Sequence, residues 1–239
     1  MTLPLRRWIR HPSRTLLLVQ LAALLLYPFI GGSRAGQVAS TAISVGVLSA
    51  AVWMVHRSPR PGWIAGVLSV AGVGAWAAYN AFDVPWMGAL GAAGYAAAYF
   101  YAAFSLITYM MADRHATRDE LWAAGATFML FVEAYAWVFV LCQWWQPDAF
   151  LAPGGAHRPL VWIELLFLSA TNFSATGLSD VLPLTPVARV AAVIAQWNGV
   201  MYMALIVSRL AGMIGSGSGS GSGGSSSSSS SADSGGRGD

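Results

Sequence analysis

The chain has 239 residues, of which 56% are hydrophobic and only 10% are charged, and its formal net charge is +3. In soluble domains about one quarter of the residues are charged, so a water-soluble globular fold is not the expected class. A single cysteine, Cys142, excludes an internal disulfide and a cysteine-based metal site.

Long apolar runs follow one another along the chain. Five contain no charged residue, and a sixth, residues 121–146, contains only Glu133. A bilayer core about 30 Å thick needs about 20 apolar helical residues, so each run is long enough for one crossing. We therefore predict an all-α integral membrane protein with six transmembrane helices. The uncharged runs are 15–33, 35–56, 61–82, 84–112 and 190–208. In the fourth run, we expect Gly88, Gly91 and Gly94 to pack against neighbouring helices.

A shorter apolar stretch, residues 160–170, lies between the fifth and sixth runs and is too short to span a bilayer. It is expected to be either a buried or a re-entrant helix. The chain thus divides into four segments. Residues 1–14 form a basic N-terminal arm, and residues 15–112 form a four-helix membrane domain of unknown role. Residues 113–210 form the module that contains the short helix, and residues 211–239 form a Gly/Ser-rich tail that is expected to be disordered.

The arginines predict the orientation of the spans. Nine fall on one side of the predicted membrane and three on the other. Because cytoplasmic loops carry the excess of positive charge, both termini of this multi-pass chain are predicted to be cytoplasmic, in the plasma membrane. Tryptophans near the predicted helix ends, among them Trp144 and Trp145, are expected to form an interfacial aromatic belt. The nine are Arg6, Arg7, Arg10, Arg14, Arg57, Arg60, Arg114, Arg118 and Arg209; the three are Arg34, Arg158 and Arg189.

The segment from residue 165 to residue 210 carries the chemistry. A short apolar helix ends there in small and hydroxylated residues, which a glycine, an acid and a full-length helix follow. Non-helical backbone at membrane depth is tolerated only where protein buries it or where it lines a water-filled path. Such a loop offers carbonyls and hydroxyls to a dehydrating cation, and the negative end of the short helix dipole points at the same place. The plainer alternative is a packed helix-turn-helix with Gly177 in an ordinary turn.

This segment resembles the pore module of potassium-channel-type cation channels, in which two helices flank a pore loop. The family pattern T-T-V-G-Y-G-D aligns without gaps to residues 174–180, with Gly177 at the first filter glycine and Asp180 at the acid after the filter. The downstream D-V-L-P-L-T-P-V-A-R looks like the family connection into the inner helix, where Gly199 takes the place of a hinge glycine. The resemblance implies a re-entrant pore helix and filter loop between the fifth and sixth helices.

The filter itself departs from the family pattern. Ala175 replaces the threonine of the innermost site, Leu178 replaces the tyrosine, and Ser179 replaces the second glycine. A single-glycine filter of this kind also looks like one pore loop of Trk-type potassium transporters, whose chains carry four. Potassium selectivity and weaker discrimination among monovalent cations both remain open. The residues that the resemblance assigns to the filter are Ser174, Ala175, Thr176, Gly177, Leu178 and Ser179.

The resemblance implies a homotetramer, because one loop per chain cannot enclose an axial path. The permeant ion is expected to be a monovalent cation, with potassium first. The fourth run carries no arginine, so voltage sensing of the usual kind is not expected. The alternatives are a secondary cation transporter and a non-conducting membrane subunit that retains the pore-module scaffold.

Individual polar residues near the loop have two interpretations each. Asp180 is either an outer-mouth charge that concentrates cations or a solvated loop acid. Glu133 is either a protonation-linked gating acid or the partner in a structural hydrogen bond. Gln196 and Asn198 on the inner helix differ by about 200°, so at most one faces the cavity on the axis.

Other functional classes lack a pattern. The four histidines show no metal-ligand spacing, so no metal site is assigned, and no organic cofactor is expected. The sequence contains no combination of residues typical of an enzyme active site. The basic arm is interpreted as a topology signal that contacts lipid, and no nucleic-acid partner is expected.

Overall fold

The computed structural model describes residues 12–29, 34–56, 61–112 and 118–217. Most of the basic arm, the arginines at 57, 60 and 114, and the tail from residue 218 onward lie outside the described residues. The described chain is mostly helical. Its helices are α1 Pro12–Leu26, α2 Arg34–Val55, α3 Gly62–Phe82, α4 Pro85–Ala112, α5 Arg118–Trp145, α6 Trp162–Phe173 and α7 Pro186–Gly217.

Four helices are long and apolar enough to cross a membrane: Gly62–Phe82, Pro85–Ala112, Asp119–Trp145 and Pro186–Ala211. The first two helices contribute shorter apolar stretches, Ser13–Phe29 and Ile43–Val55. The α-helical hydrogen bonding of α1 gives way to a 3-10 turn at Tyr27–Phe29, where Pro28 has no N–H group to donate. The all-α membrane class is confirmed, whereas the count of six spans stays a prediction.

Glycines allow α3 and α4 to approach closely. A Cβ on Gly94 would lie 2.6 Å from the Cα of Gly72, and a Cβ on Gly91 would lie 2.9 Å from the backbone nitrogen of Trp76. A Cβ on Gly88 would lie 2.5 Å from the ring of Trp144, which packs inward edge-on against Tyr79. The predicted packing role of the three α4 glycines is confirmed. Trp145 is exposed as an interfacial belt requires, but Trp144 is not.

Polar contacts hold the two ends of the helical bundle. At one end, Arg209 of α7 forms an ion pair with Glu120 of α5 at 2.8 Å, and Ser13 of α1 donates to Asp119 at 3.0 Å. At the other end, two-residue strands β1 Phe150–Leu151 and β2 Leu182–Pro183 pair antiparallel. Strands this short leave no alternating pattern in the sequence, so they were not predicted.

The boundary predicted for the tail needs correction. The last helix continues to Gly217, so residues 211–217 are helical rather than part of a disordered tail. The sequence explains the difference, because Met213 and Ile214 continue the apolar run that precedes the Gly/Ser repeats.

Candidate functional site

The short apolar helix predicted near residues 160–170 is confirmed as α6, Trp162–Phe173. Its 12 residues extend about 18 Å, which is too short to cross a bilayer core of about 30 Å. Residues that precede and begin the helix are held by side chains. Gln143 of α5 accepts from the Leu160 amide at 2.8 Å, and Glu164 accepts from the Val161 amide at 3.0 Å.

Arg158 fixes the carboxylate of Glu164 at the same helix end. The guanidinium donates to both carboxylate oxygens, at 2.9 and 2.5 Å. This two-pronged hydrogen bond holds the pKa of Glu164 below its ordinary value of 4.5. The negative charge also lies in the first turn of α6, where the helix dipole stabilises it. Glu164 thereby helps to position the start of α6.

The body of α6 packs against α5 and α7. Ser169 is fully buried and donates to the carbonyl of Val132 in α5 at 2.6 Å. The ring of Phe173, at the last residue of α6, stacks on Phe131 of α5 with 5.2 Å between centroids and also contacts Tyr202 of α7. These contacts fix the position of the helix end from which the loop 174–179 departs.

The loop leaves α6 through a left-handed helix cap. The Thr176 amide donates to the Thr171 carbonyl at 3.0 Å, and the Ala175 amide donates to the Asn172 carbonyl at 2.9 Å. This pair of bonds is the Schellman motif, whose central residue is usually glycine because its φ is positive. Here Ala175 occupies that position with φ +58°, at a conformational cost of about 1 kcal/mol.

The carbonyl of Thr171 is the anchor of the loop. It accepts the amides of Thr176 and Gly177 at 3.0 and 3.1 Å and the hydroxyls of Ser174 and Thr176 at 3.3 Å each. The two hydroxyls also lie 3.0 Å apart. The side chains that the sequence assigned to ion coordination are therefore bonded back toward α6.

The loop thus has donors on one side and acceptors on the other. The amides of Ser174, Ala175, Thr176 and Gly177 all point back to carbonyls near the end of α6. In the described part of the chain, no donor bonds the carbonyls from Ser174 to Ser179. Gly177 has φ +65°, so the predicted filter glycine occupies a conformation that favours glycine. The free acceptors are suited to bind a cation.

The acceptor side of the loop is open in the single chain. Residues 175–178 and Asp180 are exposed, and Leu178 is 77% accessible. Unpaired backbone carbonyls at membrane depth cannot face lipid, because each would lose its hydrogen bonds to water without replacement. The loop therefore requires either a water-filled path or another protein surface on this side.

The start of α7 follows from its sequence. Thr185 accepts the amide of Ala188 at 3.4 Å as an N-cap, and Pro186 occupies the first helical position, where its missing N–H costs nothing. The connection from Asp180 to this cap is braced by Arg189, whose Nε donates to the Pro183 carbonyl at 3.1 Å.

Two predicted inner-helix residues contact the end of α6. Gln196 donates to the Asn172 side chain at 2.7 Å. A Cβ on Gly199 would overlap the carbonyl oxygen of Phe173, so a glycine is required there by close backbone approach. Asn198 donates instead to the Tyr135 hydroxyl of α5 at 2.9 Å, so Asn198 joins α7 to α5 whereas Gln196 joins α7 to α6.

Glu133 is the predicted site residue that lies apart from the loop. It lines a small cavity between α1, α2, α5 and α6, and its side-chain partner on α4 is Tyr99.

Thr171 and Asn172, which anchor the loop and contact α7, were not predicted from the sequence. The signal was present as two polar residues that end an otherwise apolar helix.

Residues 127–216 match a family model whose description is ion channel. The match begins in α5 and covers α6, the loop 174–179 and nearly all of α7. No curated protein and no solved structure matches the chain significantly.

Proposed function

We propose that the chain is the pore-forming subunit of a homotetrameric, voltage-independent channel for monovalent cations, with potassium first. The match of residues 127–216 to an ion-channel family model supports this proposal. The observation that carries the proposal is the loop 174–179, whose first four amides bond back to α6 and whose carbonyls are left free. A ring of such carbonyls replaces the hydration shell of a cation that enters the pore.

The tetramer is inferred from the shape of one subunit. Each chain supplies one acceptor-bearing loop, and closed cyclic symmetry around an axis would enclose a path with four of them. The inner helix α7 is covered by its own chain on only part of its surface, and exposed side chains such as Val193, Trp197 and Met201 repeat along it at helical spacing. Neighbouring subunits are expected to cover part of this surface.

The chemistry of the loop favours cations over anions. The C-terminal end of α6 brings the negative end of its dipole to Phe173, immediately before the free carbonyls. Asp180 is exposed after the loop and would add negative charge at the outer mouth. Since the hydroxyls of Ser174 and Thr176 bond to Thr171, backbone carbonyls are the principal ligands in this proposal.

Voltage independence rests on α4, which contains no arginine in Pro85–Ala112, whereas a voltage sensor needs several charges within the membrane field. We place the channel in the plasma membrane with both termini in the cytoplasm. The contacts at the bundle ends fit that arrangement, because Arg14 lies over Trp122 near the Arg209–Glu120 ion pair, whereas Arg158 lies at the opposite end.

The test combines assembly with ion flux. Native mass spectrometry of the purified full chain should show tetramers, and liposomes that contain it should release potassium. Gly177→Ala should abolish the flux and leave the tetramer intact, because alanine disfavours φ +65° at the filter.

The matched control is Gly154→Ala. Gly154 has φ +75°, and an added Cβ would meet nothing within 4 Å there, as at Gly177, but it lies in the 3-10 turn Pro153–Gly155 before α6. The two substitutions therefore impose similar backbone strain at different places. Monomers only, or equal flux in wild type and Gly177→Ala, would overturn the proposal.

A further inference from the structure

Two adjoining cavities contact the N-terminal half of α6, whereas the loop 174–179 follows the C-terminal end of that helix. The smaller has a volume of about 40 Å³ and the larger about 260 Å³. Three residues, Tyr27, Ser44 and Trp162, line both. The larger cavity extends toward the bundle end where α5 finishes, because Gln143 and Trp144 line it. Neither cavity is needed for the conduction path proposed above.

The cavities are built from matching faces of several helices. On α5, Glu133, Trp137, Val140 and Trp144 recur at spacings of three and four residues, which places them on one face. On α1, Gln20, Ala23 and Leu24 face the smaller cavity, and Tyr27 lines it from the 3-10 turn that follows the helix. Trp162 on α6 completes the enclosure, so the site joins the peripheral helices to the helix that positions the loop.

Aromatic rings form the walls of the larger cavity. Trp137 lies at their centre, stacked on Tyr95 with 4.3 Å between centroids. It also packs edge-on against Trp76 with 5.1 Å between ring centroids, and against Trp162 with 4.6 Å between ring centroids. Rings of this kind attract cations to their faces, and tryptophan is the strongest of them.

The smaller cavity contributes one carboxylate and unpaired polar groups. Glu133 is partly buried there, and no arginine or histidine lines either cavity in the described part of the chain. Gln20 is 1% exposed and neither amide atom of its side chain has a hydrogen-bond partner. The indole Nε1 of Trp137 is likewise buried and unpartnered. Glu133 shares a hydrogen bond with Tyr99 of α4 and has no basic neighbour, and the unpartnered atoms of Gln20 and Trp137 leave further polar contacts open to an occupant.

We propose that these cavities bind a small organic ammonium ion, with its charge near Glu133 and its alkyl groups between the tryptophan rings. The carboxylate supplies the counter-charge, and the Gln20 and Trp137 side chains supply polar contacts. A bare metal ion fits less well, because it would use the oxygen-bearing small cavity and leave the aromatic walls of the larger one unused. The combined volume suits a cation of choline size.

Equilibrium dialysis of labelled choline against the purified full-length chain in neutral detergent tests this directly. The decisive comparison is 3,3-dimethyl-1-butanol, which has the same shape as choline and no charge. Choline should bind at least about tenfold more tightly, since desolvated cation–π contacts and a carboxylate act only on the charged ligand. Equal binding of the two ligands would overturn the proposal.

Matched variants locate the site. Glu133→Gln should reduce choline affinity by about tenfold or more, whereas Asp148→Asn, which removes an exposed acid outside both cavities, should leave it unchanged. Trp162→Leu should weaken choline binding, whereas Trp63→Leu at a 68% exposed position should not. Each variant is compared only after size-exclusion elution and near-ultraviolet circular dichroism match the wild type.

Two results would contradict the assignment. One is undiminished choline binding in both folded cavity variants. The other is displacement of choline by an equal concentration of sodium, which would indicate a metal-ion site. Dialysis does not measure conduction, so failure here leaves the channel proposal untouched, and failure of the channel proposal leaves this site testable.

Discussion

The substitution Gly199→Ala separates two roles for this glycine, a flexible hinge and a close contact with α6. The Cβ of an alanine would overlap the Phe173 carbonyl oxygen and lie 2.7 Å from the carbonyl carbon and 3.0 Å from the Cα of the same residue. Backbone atoms at a helix end cannot turn aside as a side-chain tip would. The helices α6 and α7 must therefore move apart.

The magnitude follows from two opposing effects. In a helix interior, glycine to alanine is favourable by about 1 kcal/mol when nothing obstructs the methyl group. Overpacking of a tight interior costs about 1–3 kcal/mol. The hydrogen bond between Gln196 and Asn172, one turn away, is strained by the same displacement. We expect Gly199→Ala to be destabilising, in contrast to a free helix position.

Gly74→Ala supplies that free position. Gly74 lies inside α3, and a Cβ there meets nothing within 4 Å. The two variants add the same methyl group and share the same gain in helix propensity, so their free energies of unfolding should differ by the overpacking cost of about 1–3 kcal/mol. The assay is unfolding of the purified chain in mixed micelles with increasing SDS, followed by tryptophan fluorescence. If Gly199→Ala is as stable as Gly74→Ala, the close-contact reasoning is refuted and the hinge role regains support.

Three further predictions concern the loop and its surroundings. Asp180→Asn should lower conductance at low ionic strength and have little effect at high ionic strength, because salt screens a mouth charge; equal loss at both would indicate a structural role. Because the pKa of Glu164 is lowered in the folded chain, its stabilising contribution is present above pH 4.5 and is lost as the pH falls through the folded pKa. The free energy of unfolding of Glu164→Gln should therefore depend less on pH in the acid range than that of the wild type; identical pH profiles would contradict this. The combined Ala175→Thr, Leu178→Tyr, Ser179→Gly variant should discriminate potassium from sodium more strongly than the wild type in bi-ionic reversal potentials, and unchanged selectivity would show that these departures do not set it.

Local sequence signals anticipated much of the fold. Apolar runs predicted the spanning helices, and the short run before Thr171 predicted α6, because helix length in a membrane follows from hydrophobic length. The packing role of Gly88, Gly91 and Gly94 was also accessible, since small residues at helical spacing mark close helix contacts. These features depend on residues near one another in the chain.

Features that depend on distant parts of the chain were not accessible. The contact of Gly199 with Phe173 requires the exact rotation and height of α7 against α6, which no local pattern encodes. Trp144 sits near a helix end, as belt tryptophans do, but the missing side chain of Gly88 on α4 makes room for it inside. Ala175 in a left-handed cap also opposes its local preference, since Gly is the usual residue there.

Single-channel recording of the purified chain in planar bilayers, with potassium on one side and sodium on the other, decides whether the loop 174–179 is an ion filter. We expect discrete cation currents whose reversal potential favours potassium, and we expect them to disappear in Gly177→Ala but not in Gly154→Ala. A correctly assembled wild-type protein without discrete currents, or currents that persist unchanged in Gly177→Ala, would contradict the assignment of the loop 174–179 as an ion filter.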